Sequence, residues 1–155
     1  MWDVKENIKR APLNKTNVKY TTTEEKPDEE KKYVVIRVPM DISHSLKDYA
    51  NDYELKHKTR LYNNFVFNVV YDIVISNFEK GVYLKSYDRF IYNPKKAKKI
   101  ETRKSVFPVP LLKTNTLNKL KAKTEKESNS KYLLSINQIF NFELKKYIEK
   151  NKNEL

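Results

Sequence analysis

Alternating apolar and polar positions mark a short stretch near residue 35 as a β-strand. In Tyr33–Pro39 an apolar β-branched residue occupies every second position: Val34, Ile36 and Val38. This period is typical of a strand with one buried face. Pro39 has no N–H to donate, so it ends strand pairing and leads into a helix. We expect the even-numbered residues to face the core and the odd-numbered ones to face outward: Tyr33, Val35 and Arg37.

Two helical patterns follow the strand. Apolar residues at spacings of four, three and four predict a first helix: Ile42, Leu46, Tyr49 and Tyr53. After a break near residues 55–58, Thr59 is a candidate N-cap for a second helix. An apolar residue recurs every four positions, at Leu61, Phe65, Val69 and Ile73, and Val66 and Val70 broaden this stripe. The helix is apolar on much of its circumference, which predicts that it is the buried one. It is expected to end near Gly81, since a left-handed C-terminal cap favours glycine.

The same order of strand and helices recurs 71 residues later. Val106–Leu111 aligns with Val35–Met40 without a gap, and Ser130 aligns with Thr59 as the second candidate cap. The second long apolar stripe then aligns with the first: Tyr132, Ile136, Phe140 and Leu144. Few of the aligned residues are identical, so the order of apolar positions and caps is what indicates an internal repeat.

These patterns divide the 155 residues into four parts. We expect a flexible tail over 1–31, a first strand-helix-helix unit over 32–81, a basic and aromatic linker over 82–102, and a second unit over 103–150. A lone strand with two helices, about 45 residues, buries too little surface to fold alone. We therefore predict a mostly α-helical fold in which the strands pair as a two-stranded antiparallel ribbon, an intramolecular pseudo-dimer.

Composition narrows the class of partner. Lysine and arginine number 32 against 20 acidic residues, and this formal charge of +12 favours a polyanion such as nucleic acid. Such a charge can also serve solubility alone. The chain has no cysteine, and neither His44 nor His57 has metal-ligand spacing around it. With a single glycine, a glycine-rich phosphate loop is excluded. We therefore expect no enzyme activity, no catalytic or metal-binding residue and no cofactor.

The hydrophobic pattern also bears on location. No apolar run approaches the roughly 18 residues of a membrane span, so we expect no membrane partner. The first residues, Met1–Lys5, lack the apolar core of a signal peptide. A cytoplasmic location is the expectation.

A strand ending in Arg37-Val38-Pro39, followed by two helices with a Ser or Thr cap on the second, resembles the ribbon-helix-helix family of Arc and MetJ. The resemblance covers about residues 32–80 and 103–150. Two units on one chain are similar to TraY-type relaxosome accessory proteins of conjugative plasmids. The family implies tandem ribbon-helix-helix repeats and a ribbon that enters the DNA major groove. It also implies strand side chains on base edges and a phosphate at the amino end of each second helix.

The resemblance places candidate base-reading residues at the outward strand positions: Tyr33, Val35, Arg37, Lys104 and Val106. Arg37 is the strongest of these candidates, since a guanidinium can bond both O6 and N7 of guanine. Pro108 departs from the family pattern, because it offers no hydrogen bond to a base and removes a backbone N–H from the ribbon. We therefore expect an asymmetric site in which the first strand discriminates more.

Phosphate contacts are expected at the start of the second helices and just before the strands, where free amides or cations occur. The candidates are Lys32, Lys58, Thr59, Arg60, Arg103, Asn129, Ser130 and Lys131. Thr59 and Ser130 can equally serve as ordinary helix caps without a ligand.

Together these features predict a sequence-specific double-stranded DNA-binding protein, either a plasmid relaxosome accessory (origin-of-transfer binding) protein or a transcriptional repressor. The alternative is an antitoxin or partition-type adaptor whose main role is to bind a protein partner. RNA binding by charge alone is a third interpretation. We expect a monomer, with room for several copies on adjacent DNA sites, and an N-terminal tail able to recruit a relaxase or another plasmid protein.

Overall fold

The computed structural model describes residues 30–97 and 99–155. Its elements are, in chain order, β1 (Lys31–Pro39), α1 (Met40–His57), α2 (Asn63–Glu79), α3 (Val82–Lys85), a 3-10 turn (Tyr87–Phe90), α4 (Pro94–Ala97), β2 (Thr102–Pro110), α5 (Leu111–Ser128) and α6 (Ile136–Asn153). The predicted coarse fold, mostly helical with a two-stranded antiparallel sheet, is confirmed. The tail predicted over 1–31 lies outside the described residues, apart from its last two.

The two strands pair along their whole length as a ribbon. Lys31 lies opposite Pro110 at one end, and the centre of the register pairs Val35 with Val106. An isolated two-stranded ribbon is marginal in water, so it needs an apolar face packed on helices. The alternation predicted from the sequence provides that face, whose fully buried members are Ile36, Val38, Phe107 and Val109.

Each strand runs directly into an 18-residue helix. Pro39 precedes α1 and Pro110 precedes α5, and the fixed φ of proline ends the strand at that point. Both helices end at a residue in the left-handed conformation, Lys58 with φ 56° and Asn129 with φ 57°. This conformation stops the helix and redirects the chain toward the next one.

The second long helices begin later than the sequence pattern predicted. α2 begins at Asn63 and α6 at Ile136. The prediction of helix caps at Thr59 and Ser130 is therefore wrong. In α6 the cap is Ser135, whose hydroxyl accepts a hydrogen bond from the backbone N–H three residues later.

The loops before these two helices differ in length. The first spans residues 58–62 and the second spans 129–135, so the second helices start 73 rather than 71 positions apart. The ungapped alignment is therefore wrong beyond the first helices. The stripe predicted on α2 is confirmed at Val66 and Val70, which are buried, and wrong at Phe65, which is 59% exposed. The other buried residues of α2 are Phe67, Tyr71, Val74 and Phe78.

The core lies between the ribbon and the pair α2 and α6. Phe67, Phe107 and Phe140 pack against one another, with ring centroids 5.0 to 5.9 Å apart. Aromatic rings at such distances add to the area that they bury. The ribbon is thus fixed to both long helices by its own central phenylalanine.

The predicted linker is folded and packs on α6. Gly81, at φ 77°, follows α2 in the left-handed conformation expected of a glycine there. Tyr83 and Phe90 are buried, and Ile91 forms an antiparallel bridge with Leu134 just before α6. Two aromatic residues of this segment therefore belong to the core of the protein.

A cluster of polar side chains connects the linker to α6. The buried carboxylate of Glu143 on α6 accepts hydrogen bonds from the Tyr83 hydroxyl at 2.5 Å and from Asn77 Nδ2 at 2.9 Å. Buried charges of this kind require such donors to offset lost hydration.

Within residues 30–97 and 99–155, no helix is both long and apolar enough to cross a membrane.

Candidate nucleic-acid interface

One face of the ribbon points away from the helices into solvent. It carries the five candidate base-reading residues: Tyr33, Val35, Arg37, Lys104 and Val106, all of them exposed. The two valines at its centre are about half exposed, at 50% and 48%. β-branched side chains left in water on a sheet face gain nothing from packing, so this face is available to a partner.

The cross-strand register groups these side chains by chemistry. Arg37 lies opposite Lys104, and Tyr33 lies opposite Pro108, with the valine pair between them. The face therefore has a cationic end, an apolar centre and an end without a formal charge on either of its paired residues. The sequence predicted which side chains point outward, and the structure adds that the two cations form one pair.

This cationic end is electrostatically uncompensated in the described part of the chain. Like charges opposite each other in a sheet are destabilising. No salt bridge among the described residues involves Arg37 or Lys104, whereas Lys113 pairs with Asp72 at 2.7 Å elsewhere on the surface. An anion bound at this end would relieve the repulsion.

Two further candidates, Lys32 and Arg103, lie within the strands near opposite ends of the ribbon, and not just before the strands as the sequence predicted. Lys32 lies opposite Val109, and Arg103 lies opposite Val38. Both side chains are exposed, although their positions belong to the face of the ribbon that packs on the helices. They are placed to approach groups beside the ribbon rather than groups directly in front of it.

Six candidate phosphate contacts lie in the two interhelical loops instead of at helix starts. They are Lys58, Thr59, Arg60, Asn129, Ser130 and Lys131, which precede α2 and α6 by at least three residues. Two of the cations rest on neighbouring rings, with Arg60 Cζ 5.1 Å from the Tyr62 centroid and Lys131 Nζ 5.4 Å from the Tyr132 centroid. The free amides at the helix starts therefore do not belong to these residues.

A cleft of about 540 Å³ opens between α1, the start of α2 and β2. Arg60 and Arg103 both line it, together with Lys47 and the carboxylate of Glu54. The structure thus brings two separately predicted phosphate candidates onto one surface. Arg60 and Arg103 are 43 positions apart in the chain, and no sequence pattern indicated this proximity.

Asparagines on the long helices hold the outer edges of the ribbon, a role that the sequence interpretation missed. Asn68 Nδ2 on α2 donates to the Pro108 carbonyl at 3.1 Å, and Asn141 Nδ2 on α6 donates to the Arg37 carbonyl at 2.9 Å. Asn137 Oδ1 also accepts the Arg37 backbone N–H at 2.7 Å. A repeated spacing of four between asparagines was the available signal, at Asn64 and Asn68 and again at Asn137 and Asn141.

These contacts correct the interpretation of Pro108. Antiparallel strands alternate between residues that bond the partner strand and residues whose backbone groups point away. Arg37 belongs to the second kind, since its N–H and carbonyl both bond α6. Pro108 lies an even number of register steps from that pair, so its missing N–H removes no bond from the ladder.

No group of three or more His, Cys, Asp or Glu side chains in 30–97 and 99–155 could hold a metal ion. What the site presents is a rigid exposed ribbon with cations at one end and on its flanks. In comparisons with protein-family models, curated proteins and solved structures, nothing matched this chain.

Proposed function

We propose that the protein binds double-stranded DNA in a sequence-specific manner by inserting the β1–β2 ribbon into the major groove. One observation carries this proposal. The exposed face of the ribbon pairs Arg37 with Lys104, and no carboxylate of the described residues forms a salt bridge with either. A surface of this kind is suited to a polyanion, in agreement with the formal charge of +12.

The dimensions and chemistry of the ribbon favour DNA over a structureless polyanion. The B-DNA major groove admits a two-stranded β-ribbon, and every base pair presents a distinct edge there. Arg37 can pair with guanine O6 and N7, and the central valines can contact thymine methyl groups. Lys32 and Arg103 on the flanks are placed for phosphates, which position a protein without specifying sequence.

We further propose that the chain is a tandem pair of ribbon-helix-helix units forming a pseudo-dimer. A shift of 71 positions carries β1 and α1 onto β2 and α5, and it carries Lys58 onto Asn129, both left-handed. The same shift moves Val35 onto Val106, its own partner in the register. A pair that exchanges with itself is what a two-fold axis through the ribbon requires.

A shift of 73 positions relates the second helices. It carries Asn68 onto Asn141, and each donates to a carbonyl on the outer edge of a strand. It also carries Phe67 onto Phe140, whose ring centroids are 5.9 Å apart. Contacts between equivalent residues support an internal two-fold relationship with a two-residue insertion in the second loop.

Selection of bound duplexes from a random pool tests the DNA proposal. We expect enrichment of one site, bound at least about a hundredfold more tightly than scrambled DNA at physiological salt. Arg37→Ala with Lys104→Ala is expected to abolish enrichment while circular dichroism shows an intact fold. Failure of the folded wild-type protein to enrich any site would contradict the proposal.

Two competitor experiments separate the other classes of partner. If structureless RNA competes as well as the enriched duplex, the protein binds polyanions by charge alone. If a protein is captured equally with and without DNA, an antitoxin or partition-type adaptor is the better description. The position of the enriched site then distinguishes the proposed settings, because a relaxosome accessory protein binds at an origin of transfer and a repressor binds at a promoter.

A further inference from the structure

The backbone of Arg37 is held at both of its polar groups by one helix. Its N–H donates to Asn137 Oδ1 at 2.7 Å, and its carbonyl accepts from Asn137 Nδ2 at 3.0 Å and Asn141 Nδ2 at 2.9 Å. The outer edge of a ribbon otherwise leaves such groups to solvent. The side-chain amide of Asn137 thus bonds the backbone N–H and carbonyl of Arg37, as the backbone of a neighbouring strand would.

The opposite strand lacks this arrangement. Asn68 Nδ2 donates to the Pro108 carbonyl at 3.1 Å, but proline has no N–H to offer in return. Asn64 precedes Asn68 by four residues, as Asn137 precedes Asn141, and in each pair the later side-chain amide donates to the backbone carbonyl of the earlier residue at 2.9 Å. Within the described residues the Asn64 side chain forms no hydrogen bond with β2. One edge of the ribbon is therefore held at both groups and the other at the carbonyl only.

We propose that Asn137 is a positioning residue that holds Arg37 for base recognition and thereby makes DNA recognition directional. The inference rests on the DNA-binding function proposed above. A side chain on a fixed backbone loses less freedom on binding than one on a mobile edge, so its contact discriminates better between bases. The strand containing Pro108 has no base-reading side chain and no second backbone contact at the equivalent position.

Two consequences follow for the DNA site. The half-site that faces the Arg37–Lys104 end carries strong base preference, and the half-site that faces the Tyr33–Pro108 end carries weaker preference. The enriched sequence is therefore not a palindrome, and the protein binds it in one orientation.

Hydrogen exchange tests the contact without DNA. Asn137→Ala is expected to accelerate exchange of the Arg37 amide at least about tenfold, because that N–H has no other partner, while amides of the ladder keep their protection. Asn137→Asp keeps an oxygen that can accept the N–H but loses the donor to the Arg37 carbonyl, so it is expected to restore part of the protection. Asn64→Ala is the matched control and should change neither strand.

Binding measurements test the consequence for recognition. For Asn137→Ala we expect the preference for the enriched site over one altered at the Arg37 base pair to fall about tenfold. Nonspecific affinity and its salt dependence should stay the same, since no phosphate contact is removed. Asn64→Ala should leave that preference intact.

The outcomes separate this inference from the proposed function. A wild-type protein that enriches no site overturns the DNA proposal and the inference together. An enriched site whose base preference survives Asn137→Ala overturns only the inference. An equal loss of preference in Asn64→Ala also overturns it, because the effect would then belong to general ribbon stability.

Discussion

Arg37 lies directly opposite Lys104 in the ribbon, and both side chains are exposed to solvent. Two cations in one cross-strand pair repel each other, and the described residues supply no carboxylate to either. Retention of such a pair is understandable if it serves binding at the expense of stability. Stability and affinity should therefore respond in opposite directions when the pair is changed.

The first prediction follows from that opposition. Lys104→Glu converts a repulsive pair into an attractive one and should raise the free energy of unfolding by about 0.2–1 kcal/mol. The same change should weaken binding to all duplexes at least about tenfold, because a carboxylate would face phosphates. Urea denaturation and fluorescence anisotropy measure the two effects, and a simultaneous gain of stability and affinity would refute the proposed interface.

Arg37→Ala addresses base reading by a single side chain. We expect a loss of about 1–3 kcal/mol of binding free energy on the enriched site and relaxed preference at one base pair. Lys123→Ala, an exposed cation on α5, is the matched control and should change affinity little. Equal losses on enriched and scrambled DNA would reduce Arg37 to a phosphate contact.

Arg103→Ala addresses the flanking cations. Since Arg103 is placed beside the ribbon, its removal should weaken binding to every sequence and lower the slope of log affinity against log salt by about one. Lys32→Ala at the other end should behave alike. Titrations at several salt concentrations provide the slope, and a slope that stays constant in both variants argues against these phosphate contacts.

Tyr83→Phe tests the anchor between the linker and α6. The change removes one donor to the buried Glu143 carboxylate and should cost about 1–3 kcal/mol of folding free energy. Tyr92→Phe, on a side chain that is 55% exposed, should stay within about 0.5 kcal/mol of the wild type. Thermal and urea denaturation compare the two, and equal effects would show that the Glu143 contact is unimportant.

Alkaline pH should destabilise the fold through buried tyrosines. Burial, and then the neighbouring Tyr147, raises the pKa of Tyr49 to about 12. Burial raises the pKa of Tyr83 as well. An unfolded chain ionises its phenols near pH 10, so this stabilisation is complete below about pH 10 and is lost as the pH rises toward the folded pKa. Denaturation across that range should show a weaker decline for Tyr49→Phe than for Tyr92→Phe.

The strands could be predicted because a period of two allows only one assignment of side chains to the inward and outward faces. A period of two assigns Ile36 inward and Arg37 outward whatever the packing, and a shift of one residue would reverse every side chain. The left-handed Gly81 was equally accessible, since few other residues tolerate a positive φ. These local rules do not depend on distant contacts.

The second helices could not be placed in the same way. α2 is apolar around much of its circumference, so periodicity alone does not choose between Phe65 and Val66 for the core. Packing against β2 and α6 makes that choice. Thr59 and Ser130 looked like caps because each is a hydroxyl residue shortly after a first helix and the two align at a shift of 71 positions. The two-residue difference in loop length is visible only in three dimensions.

The asparagine contacts could not be placed for another reason. An asparagine on a helix is usually a solvated residue, and the spacing of four between Asn137 and Asn141 does not indicate that their partner is a strand 100 positions away. Only the fold brings its amide to the Arg37 backbone. Sequence patterns thus indicated the exposed side of the ribbon, while its rigid support required the structure.

Because both strands belong to one polypeptide, their pairing does not depend on the protein concentration. A mutation in one strand therefore leaves the other strand unchanged. A protein assembled from two identical chains would acquire a proline twice, or not at all. Here Pro108 faces Tyr33, and no proline is imposed at Arg37. Covalent linkage thus allows the two strands to differ, and under the proposed function a ribbon with unlike ends would bind its target in one orientation.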